Sequence, residues 1–220
     1  MKKALILWGG WEGHTPKKTT RILADELEAN GFDIRLENSL KTLEKPEVLR
    51  ELDLIVPFYT MGEISSKQWE GISKAVCEGI GLAGVHGGLS DVTSSSAEYY
   101  WMVGGRFVGH PYIGEYTVRL TNVKSPITEG MKPQFRYDSE QYYMLVDPAN
   151  TVLAETTYDY KEYKCTMPVV WTKTWGAGRV FYSALGHVAD EFRKYPDVLA
   201  MTVRGMLWAS ESARTGHFER

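Results

Sequence analysis

GLAGVHGGLSDV, residues 81–92, is the stretch of the chain that says most about its fold. Gly84, His86 and Gly88 reproduce the G-x-nucleophile-x-G pattern of a sharp strand-to-helix turn, with a histidine in the place of the nucleophile. Glycines flank such a turn because a side chain there would collide with neighbouring backbone. The stretch therefore predicts an apolar strand over 80–85, an exposed His86 at the turn and a helix after it.

The chemistry open to His86 follows from its imidazole ring. The ring can act as a general base or acid, anchor a ligand by a hydrogen bond or bind a metal ion, and its ordinary pKa of about 6.5 lets it change charge near neutrality. A serine or cysteine at the turn would instead indicate acyl transfer. The alternative interpretation is structural, with His86 capping the helix that follows.

The composition limits the classes of protein to which the chain can belong. Its 220 residues are 43% hydrophobic, which suits a single domain over 1–220. The net charge of -3 and the interspersed charges argue against a nucleic-acid partner. The sequence has no apolar run near the roughly 18 residues of a membrane span, and the run at its start is too short for a signal peptide. Cys77 and Cys165 lie far apart, so we expect no disulfide framework and a cytoplasmic location.

Strands and helices alternate in the first half of the chain. Thr15 and Pro16 predict a helix start with a hydroxyl N-cap and proline at the first helical position. Ser65 and Gln68 form a capping box for a later helix. Apolar segments with the character of strands lie over 3–8, 32–37 and 52–58. The alternation predicts parallel βαβ units with helices on both faces of the sheet.

The second half of the chain is rich in predicted strands. They run from residue 114 to residue 182, and Gly176 and Gly178 predict a hairpin turn between the last two. Apolar residues at helical spacing over 197–210 predict a closing helix that packs on the sheet. We therefore expect an α/β fold with a mostly parallel sheet, helices on both faces and an antiparallel, β-rich C-terminal half.

The loops that leave the strands hold most of the candidate catalytic residues. In an open parallel sheet, ligands bind beyond the carboxyl ends of the strands. His14, His86 and His187 each follow a predicted strand, so we expect them to meet at one edge of the sheet. Glu140 supplies a carboxylate that would orient a histidine or act beside one as acid or base. The alternative is that each histidine is a cap or a surface residue and that Glu140 is a solvated carboxylate.

The same residues are the candidates for a metal site. If His14, His86 and His187 lie within coordination distance, they could hold a divalent ion together with Glu140, and the ion would activate water or a carbonyl. Proton transfer among the four residues without a metal is the other mechanism that the sequence allows. The sequence does not choose between the two.

Aromatic side chains are numerous near these loops, and sugar rings commonly lie on aromatic faces. The predicted substrate-binding residues are Trp8, Trp11, Tyr59, His110, Tyr142 and Trp171. His110 stands in a glycine-rich loop and is a candidate lid over the site. Trp69, Trp101 and Trp208 stand at helical spacing among apolar neighbours, so we assign them to packing. His217, near the C-terminus, is expected to be exposed and to take no part in the site.

Two further motifs extend the pattern beyond the histidine turn. They are GGRFVGHP, residues 104–111, and PVVWTKTWGAGRVFYSALGH, residues 168–187. Together with GVHGG and the late LWA helix, these motifs resemble the ThuA-like (trehalose utilisation) family of the class I glutamine amidotransferase-like superfamily over nearly the whole chain. The resemblance implies a flavodoxin-like sheet and a role in carbohydrate metabolism, notably of trehalose and related disaccharides.

The chain departs from true glutaminases at the nucleophile. In those relatives the turn carries a cysteine, and a histidine with a nearby carboxylate follows a late strand. Here His86 takes the cysteine's place, His187 stands at the late histidine position, and Cys77 lies in a predicted helix where it cannot replace the nucleophile. The departure argues against thioester chemistry on glutamine.

The sequence thus predicts an enzyme that acts on a disaccharide or its keto derivative by histidine and glutamate acid–base chemistry, with or without a divalent metal ion. Isomerase, lyase and hydrolase reactions all remain open. The alternative is a non-catalytic sugar-binding or regulatory module on the same fold. The expected partner is a small-molecule carbohydrate and not nucleic acid or a membrane, and an exposed aromatic helix over 96–103 would allow a homo-oligomer.

Overall fold

The computed structural model describes residues 1–94, 96–160 and 162–213, so that His217 lies outside the described residues. The strands are β1 Lys2–Gly10, β2 Phe32–Glu37, β3 Leu54–Thr60, β4 Gly81–Val85, β5 Gly105–Leu120, β6 Gln134–Val146, β7 Thr151–Tyr160, β8 Tyr163–Trp175 and β9 Gly178–Ser183. The helices are α1 Pro16–Ala29, α2 Pro46–Leu49, α3 Ser66–Cys77, α4 Gly87–Ser90, α5 Ala97–Val103, α6 Ala189–Lys194 and α7 Pro196–Ala209, and short 3-10 turns cover Glu12–His14 and Lys41–Glu44.

The sheet is mixed, which corrects the expectation of a mostly parallel one. Its strand order is β2-β1-β3-β4-β9-β8-β7-β5-β6. The pairs from β2 to β9 are parallel, and the pairs from β9 to β6 are antiparallel. The β-rich segment pairs directly on β9 through the predicted β8–β9 hairpin. It therefore extends the central sheet by four strands instead of forming a minor edge.

The parallel half has the topology of a doubly wound sheet. The chain moves outward from β1 to β2 and then crosses to β3 on the other side of β1, so the direction of winding reverses between β1 and β3. Right-handed crossovers then place α1 and α3 on opposite faces. The helix contacts agree, because α1 packs with α6 and α7 while α3 packs with α2. None of the described helices is both long and apolar enough to cross a membrane.

The central strands are buried along most of their length. Residues 4–7 of β1 and residues 54–58 of β3 are all buried. Helices that cover both faces of a parallel sheet leave no solvated side, so such strands have continuous apolar runs and not an alternating pattern. The sequence of β1 and β3 therefore fixes them at the centre of the sheet.

The two predicted helix starts differ in their caps. α3 has the predicted capping box, with the Ser65 hydroxyl and the Gln68 side chain both bonded to backbone N–H groups. α1 begins at Pro16 as predicted, but the Thr15 hydroxyl does not cap it. The Thr15 Oγ1 instead accepts a hydrogen bond of 3.0 Å from the backbone N–H of Ala189. That bond ties the loop after β1 to the loop after β9.

β5 and β6 form a long antiparallel ribbon at one end of the sheet, which we call the β5–β6 ribbon. Alternate side chains of a strand point to opposite faces. Glu140, Tyr142 and Met144 of β6 are buried, whereas Tyr143 and Leu145 are exposed. The ribbon thus turns a mixed polar and aromatic face inward, toward the loops of the parallel strands.

Trp101 lies at the surface, which corrects its assignment to packing. Its side chain is 62% exposed, and its ring meets the edge of Trp175 at a centroid distance of 5.4 Å. α5 has only seven residues, and its inner face is occupied by neighbours such as Tyr99 and Val103. Trp69 and Trp208 do pack against the core.

Candidate functional site

β4 ends in the sharp strand-to-helix turn that the sequence predicts, with His86 between β4 and α4. His86 has φ 51° and ψ -147°, a backbone conformation that is rare for a residue with a side chain. A Cβ atom at Gly84 would lie 2.6 Å from Cβ of Leu89, and one at Gly88 would lie 2.7 Å from the ring of Phe58. Both glycines are therefore required by the close approach of their neighbours.

His86 is fully buried, whereas the sequence predicts an exposed residue at the turn. Its backbone N–H donates a bond of 2.6 Å to the carbonyl of Ser183, and its own carbonyl accepts a bond of 3.2 Å from the Tyr182 hydroxyl. Its ring packs on Tyr142 of the β5–β6 ribbon at a centroid distance of 4.0 Å. The ribbon covers the turn, and no local pattern around His86 indicates that cover.

Backbone strain is concentrated at the same edge of the sheet. Among the described residues other than glycine, only Thr15, Met61 and His86 have positive φ, with values of 47°, 55° and 51°. These residues lie in the loops that follow β1, β3 and β4. Such conformations cost about 1–3 kcal/mol each and tend to occur at functional sites. The strain therefore marks this edge as the place to look for chemistry.

The structure brings His14, His86 and His187 together at this edge. The ring centroids of His14 and His86 are 4.8 Å apart, and each of these rings lies 5.1 Å from the ring of His187. The three residues follow β1, β4 and β9, whose carboxyl ends are close in the strand order. The position of each histidine after a parallel strand thus accounts for the cluster.

Hydroxyl groups hold two of the imidazole rings by their Nδ1 atoms. His14 Nδ1 is 2.7 Å from the Thr60 hydroxyl, and His86 Nδ1 is 2.7 Å from the Tyr142 hydroxyl. The Nε2 atoms of His86 and His187 are buried without a hydrogen-bond partner among the described residues. Buried polar atoms are normally paired, so a bound ligand or an ordered water molecule would satisfy these two nitrogens.

Glu140 brings its carboxylate into the histidine cluster. Its Oε2 lies 3.6 Å from Nε2 of His86, and its Oε1 lies 3.6 Å from Nε2 of His110 and 3.7 Å from Nε2 of His187. These distances are too long for direct hydrogen bonds. The carboxylate therefore faces three imidazoles across a small gap.

A second buried carboxylate, that of Glu191, holds His187 in place. Glu191 accepts hydrogen bonds from the Ser139 hydroxyl at 2.7 Å, from the backbone N–H of His187 at 2.8 Å and from the Tyr137 hydroxyl. Its Oε1 lies 3.9 Å from Nδ1 of His187. Glu191 thus fixes the loop after β9 and faces the side of the His187 ring that points away from Glu140.

Burial keeps two of the histidines neutral. Burial, together with the smaller effects of the His187 and His110 charges, lowers the pKa of His14 from 6.5 to about 4. Burial also lowers the pKa of His86 well below its ordinary value, and the charge of His14 acts in the same direction. At pH 7 both rings are neutral, which is the form that accepts a proton or binds a metal ion.

A cavity of about 380 Å³ opens above the cluster. It lies at the small end of the range for sites that bind small molecules. Its lining consists of Trp11, His14, Thr60, Met61, Asp91, Phe107, His110, Glu140 and Tyr142. His86 is not part of this lining, but its ring contacts the rings of two lining residues, His14 and Tyr142.

The predicted substrate-binding residues divide into two groups. Trp11, His110 and Tyr142 line the cavity, and Trp11 and His110 are partly exposed. Trp8, Tyr59 and Trp171 lie outside the lining.

Trp171 is a core residue, which corrects its placement at a substrate site. It is fully buried, stacks near Tyr182 at a centroid distance of 4.3 Å and donates its indole N–H to the carbonyl of Val103 at 3.0 Å. Its side chain has no access to solvent or to a ligand. The register of β8 points this indole at the core, and its aromatic character alone does not reveal that direction.

Four cavity residues are missing from the predicted set: Thr60, Met61, Asp91 and Phe107. Thr60 ends β3 at the same edge as the histidines, so its position in the fold was a usable signal. Asp91 follows the short helix α4, and Phe107 lies on β5. Both lie within motifs of the sequence, Asp91 in GLAGVHGGLSDV and Phe107 in GGRFVGHP, but only the approach of the β5–β6 ribbon to the loops of the parallel strands brings them to one cavity.

The donor set that could hold a metal ion differs from the predicted one. His14, His86 and Glu140 each offer a ligand atom, and these atoms lie within 4.8 Å of one another. The sequence predicts that His14, His86 and His187 hold the ion together with Glu140, whereas the compact group leaves out His187. In the structure Glu140 completes the compact group, and His187 approaches it through Oε1 of Glu140.

Comparison with known proteins agrees with the resemblance seen in the sequence. A ThuA-like protein from Bacteroides uniformis ATCC 8492 superposes with a TM-score of 0.79 at 19% identity, over 94% of this chain and 91% of that chain. One from Parabacteroides merdae ATCC 43184 gives 0.76 at 18% identity, over 96% and 90%. Cytoplasmic protein STM1381 from Salmonella typhimurium LT2 gives 0.59 at 16% identity, over 94% and 97%. At these identities the likeness concerns the fold alone.

A search of curated protein sequences found no match. A family model described as "ThuA: Trehalose utilisation" matches residues 3–209, which is nearly the whole chain. The resemblance stated from the motifs is thereby confirmed. The chain belongs to the ThuA family of trehalose utilisation.

Proposed function

We propose that this chain is a cytoplasmic enzyme of carbohydrate metabolism that acts on a disaccharide or its keto derivative by acid–base chemistry assisted by a divalent metal ion. One observation carries the proposal. His14, His86 and Glu140 have ligand atoms within 4.8 Å of one another, and His14 and Glu140 line a cavity.

The spacing of the donor atoms supports a metal site. Zinc binds imidazole nitrogen and carboxylate oxygen at about 2.0–2.2 Å, so two ligands at a tetrahedral angle are about 3.4 Å apart. His86 Nε2 and Glu140 Oε2 are 3.6 Å apart. A small shift of either side chain would therefore allow both atoms to bind the same ion.

The surroundings of the ligands support the same conclusion. Histidines that bind metals usually donate their other ring N–H to an oxygen, which fixes the tautomer and the ring. The Thr60 hydroxyl occupies this position at His14, and the Tyr142 hydroxyl occupies it at His86. The low pKa of both rings makes them neutral at neutral pH, and a ring that donates its Nδ1–H to the hydroxyl oxygen has an unprotonated Nε2 for a metal ion.

The proposed reaction is an elimination from a keto disaccharide. His14, His86 and Glu140 would hold a divalent ion, which would supply a Lewis acid to polarise the carbonyl. A base of the chain removes the proton from the carbon beside the carbonyl, and the bond from the next carbon to the glycosidic oxygen breaks. That oxygen takes up a proton as the second sugar leaves, so the reaction consumes neither water nor a redox cofactor.

The carbohydrate assignment rests on the family and on the cavity. The family description names trehalose utilisation. Trp11 is 48% exposed at the cavity, where its indole offers an apolar face to the C–H groups of a sugar ring. The cytoplasmic assignment is supported by the two cysteines, which are free and exposed.

The test measures metal content and turnover together. The purified protein, loaded with Zn²⁺ or Mn²⁺ and dialysed, is analysed by elemental mass spectrometry and incubated with disaccharides and their keto derivatives. We expect about one ion per chain and conversion of a keto disaccharide. Glu140→Gln should lose both, whereas Glu115→Gln, which changes an exposed carboxylate on the same ribbon, should keep both.

Two results would contradict the proposal. A protein that binds no divalent ion and converts no sugar in the panel is not this enzyme. Binding of a sugar without conversion, unchanged in His86→Ala, would identify a non-catalytic sugar-binding module instead.

A further inference from the structure

The cavity contains a carboxylate that the metal site does not use. Asp91 follows helix α4 and lines the cavity together with Glu140. Among the described residues, these two are the only carboxylates in the lining. They stand in different surroundings, which suggests different roles.

Glu140 is already engaged. Its side chain is about nine-tenths buried and faces imidazole nitrogens at 3.6 and 3.7 Å. Asp91 is half-buried, and no donor in the described part of the chain forms a hydrogen bond or an ion pair with its carboxylate. An oxygen bound to a metal ion would be a poor proton acceptor, so metal binding by Glu140 would leave Asp91 as the carboxylate of the lining that is free to act as a base.

The backbone of Asp91 is held in place from two sides. Its carbonyl accepts a bond of 2.7 Å from the N–H of Met61, in the loop after β3, and its N–H donates a bond of 3.0 Å to the carbonyl of Gly87 in α4. Met61 is one of the three strained residues at this edge. The Asp91 side chain therefore starts from a fixed point on the cavity wall, as a catalytic group requires.

Several charged and titratable groups surround Asp91. Arg106, Tyr100, Tyr142 and Tyr182 interact with it electrostatically. His14, His110 and Glu140 share its cavity. Burial raises the pKa of Asp91 above its ordinary value, and the charge of Arg106 partly opposes that effect. A carboxylate with a raised pKa is a stronger base.

We propose that Asp91 is the general base of this enzyme, with its carboxylate removing the proton from the carbon beside the substrate carbonyl. The proposal rests on the function proposed above. In the step, the C–H bond breaks, a proton joins the Asp91 oxygen, and the electron pair forms a carbon–carbon double bond as the bond to the glycosidic oxygen breaks. Asp91 then gives the proton to the departing oxygen, so the enzyme ends in its starting state.

The experiment compares Asp91→Asn with the parent and with Asp25→Asn, a change of an exposed carboxylate on α1. All three proteins are saturated with Zn²⁺ and their metal content is measured. The kcat for the converted keto disaccharide is then followed over pH. Exchange of the carbon-bound hydrogen is followed in D₂O by mass spectrometry.

We expect Asp91→Asn to keep the metal and to lose at least about 100-fold in kcat, because a general base contributes about that much or more. It should also lose deuterium exchange and the fall in kcat toward acid pH, whereas Asp25→Asn matches the parent.

Two outcomes would overturn the role of Asp91 and leave the proposed function intact. One is an Asp91→Asn enzyme with kcat within twofold of the parent and an unchanged pH profile. The other is loss of metal from Asp91→Asn, which would make Asp91 a ligand and not a base. Failure of the parent to convert any sugar would remove the proposed function, and the role of Asp91 with it.

Discussion

Acid should destabilise the metal-free protein through His14. The pKa of this residue is 6.5 in an unfolded chain and about 4 in the folded protein, chiefly because of burial. Between these values the unfolded state takes up a proton that the folded state does not. The protonation of His14 therefore leaves the free energy of unfolding unchanged above pH 6.5 and lowers it as the pH drops from 6.5 toward 4.

The size of the effect follows from the two pKa values of His14. Each tenfold difference in proton affinity corresponds to about 1.4 kcal/mol, so the stability lost between pH 7 and pH 4 is about 3 kcal/mol, with about 2 kcal/mol gone by pH 5. His14 is 3% exposed, so solvent screening reduces this value little.

The measurement is urea unfolding followed by tryptophan fluorescence at several pH values, in the presence of a chelator. Other groups also titrate in this range, so the quantity of interest is the difference between the parent and His14→Gln. The glutamine amide can still bond to the Thr60 hydroxyl, but it does not titrate. The stability of the parent relative to this variant should fall by about 3 kcal/mol from pH 7 to pH 4.

Thr60→Val serves as the control, because it removes the hydrogen bond at His14 Nδ1 and leaves the buried imidazole in place. This variant should keep the pH dependence of the parent. Parallel stability curves for the parent and His14→Gln would refute the reasoning, since they would mean that His14 titrates alike in the folded and unfolded states.

Three further predictions concern packing and support of the site. Gly88→Ala should lower stability by about 1–3 kcal/mol in thermal unfolding, because the new Cβ lies 2.9 Å from the backbone Cα of Phe58; an unchanged Tm would show that this contact relaxes freely. Tyr142→Phe should weaken Zn²⁺ binding about 10–100-fold by calorimetry, because it removes the hydroxyl at His86 Nδ1, and equal affinity would exclude that supporting role. Trp171→Phe should cost about 1–3 kcal/mol in urea unfolding, because it leaves a buried carbonyl unpaired, while Zn²⁺ affinity stays the same; a change in that affinity would place the indole in the site after all.

Local patterns predicted several elements with nearly correct bounds. FDIRLE alternates apolar and polar residues and is a strand over Phe32–Glu37. The closing helix expected over 197–210 is Pro196–Ala209. The glycines around His86 predicted its sharp turn, because short-range steric limits depend only on neighbouring residues. The loop positions of three histidines predicted their cluster, because parallel strands end at a common edge.

Contacts between distant parts of the chain were beyond those patterns. Whether Trp171 faces a ligand or the core depends on the register of β8. An indole ring is common in both environments, so the residue type does not distinguish them. The cover that buries His86 comes from Tyr142, 56 residues away in the sequence. Asp91 became a candidate catalytic residue only because the fold places it in the wall of the cavity.

The sequence by itself determined the α/β architecture, the histidine turn and the family, because these depend on periodicity and on short motifs. Only the tertiary structure decided that the antiparallel strands continue the parallel ones in a single sheet, that Glu140 faces three histidines and that Asp91 lines the cavity beside His14 and His110. The reason is physical: a site is defined by distances of a few ångströms between residues far apart in the chain, and these distances are set by how the β5–β6 ribbon packs against the parallel half of the sheet.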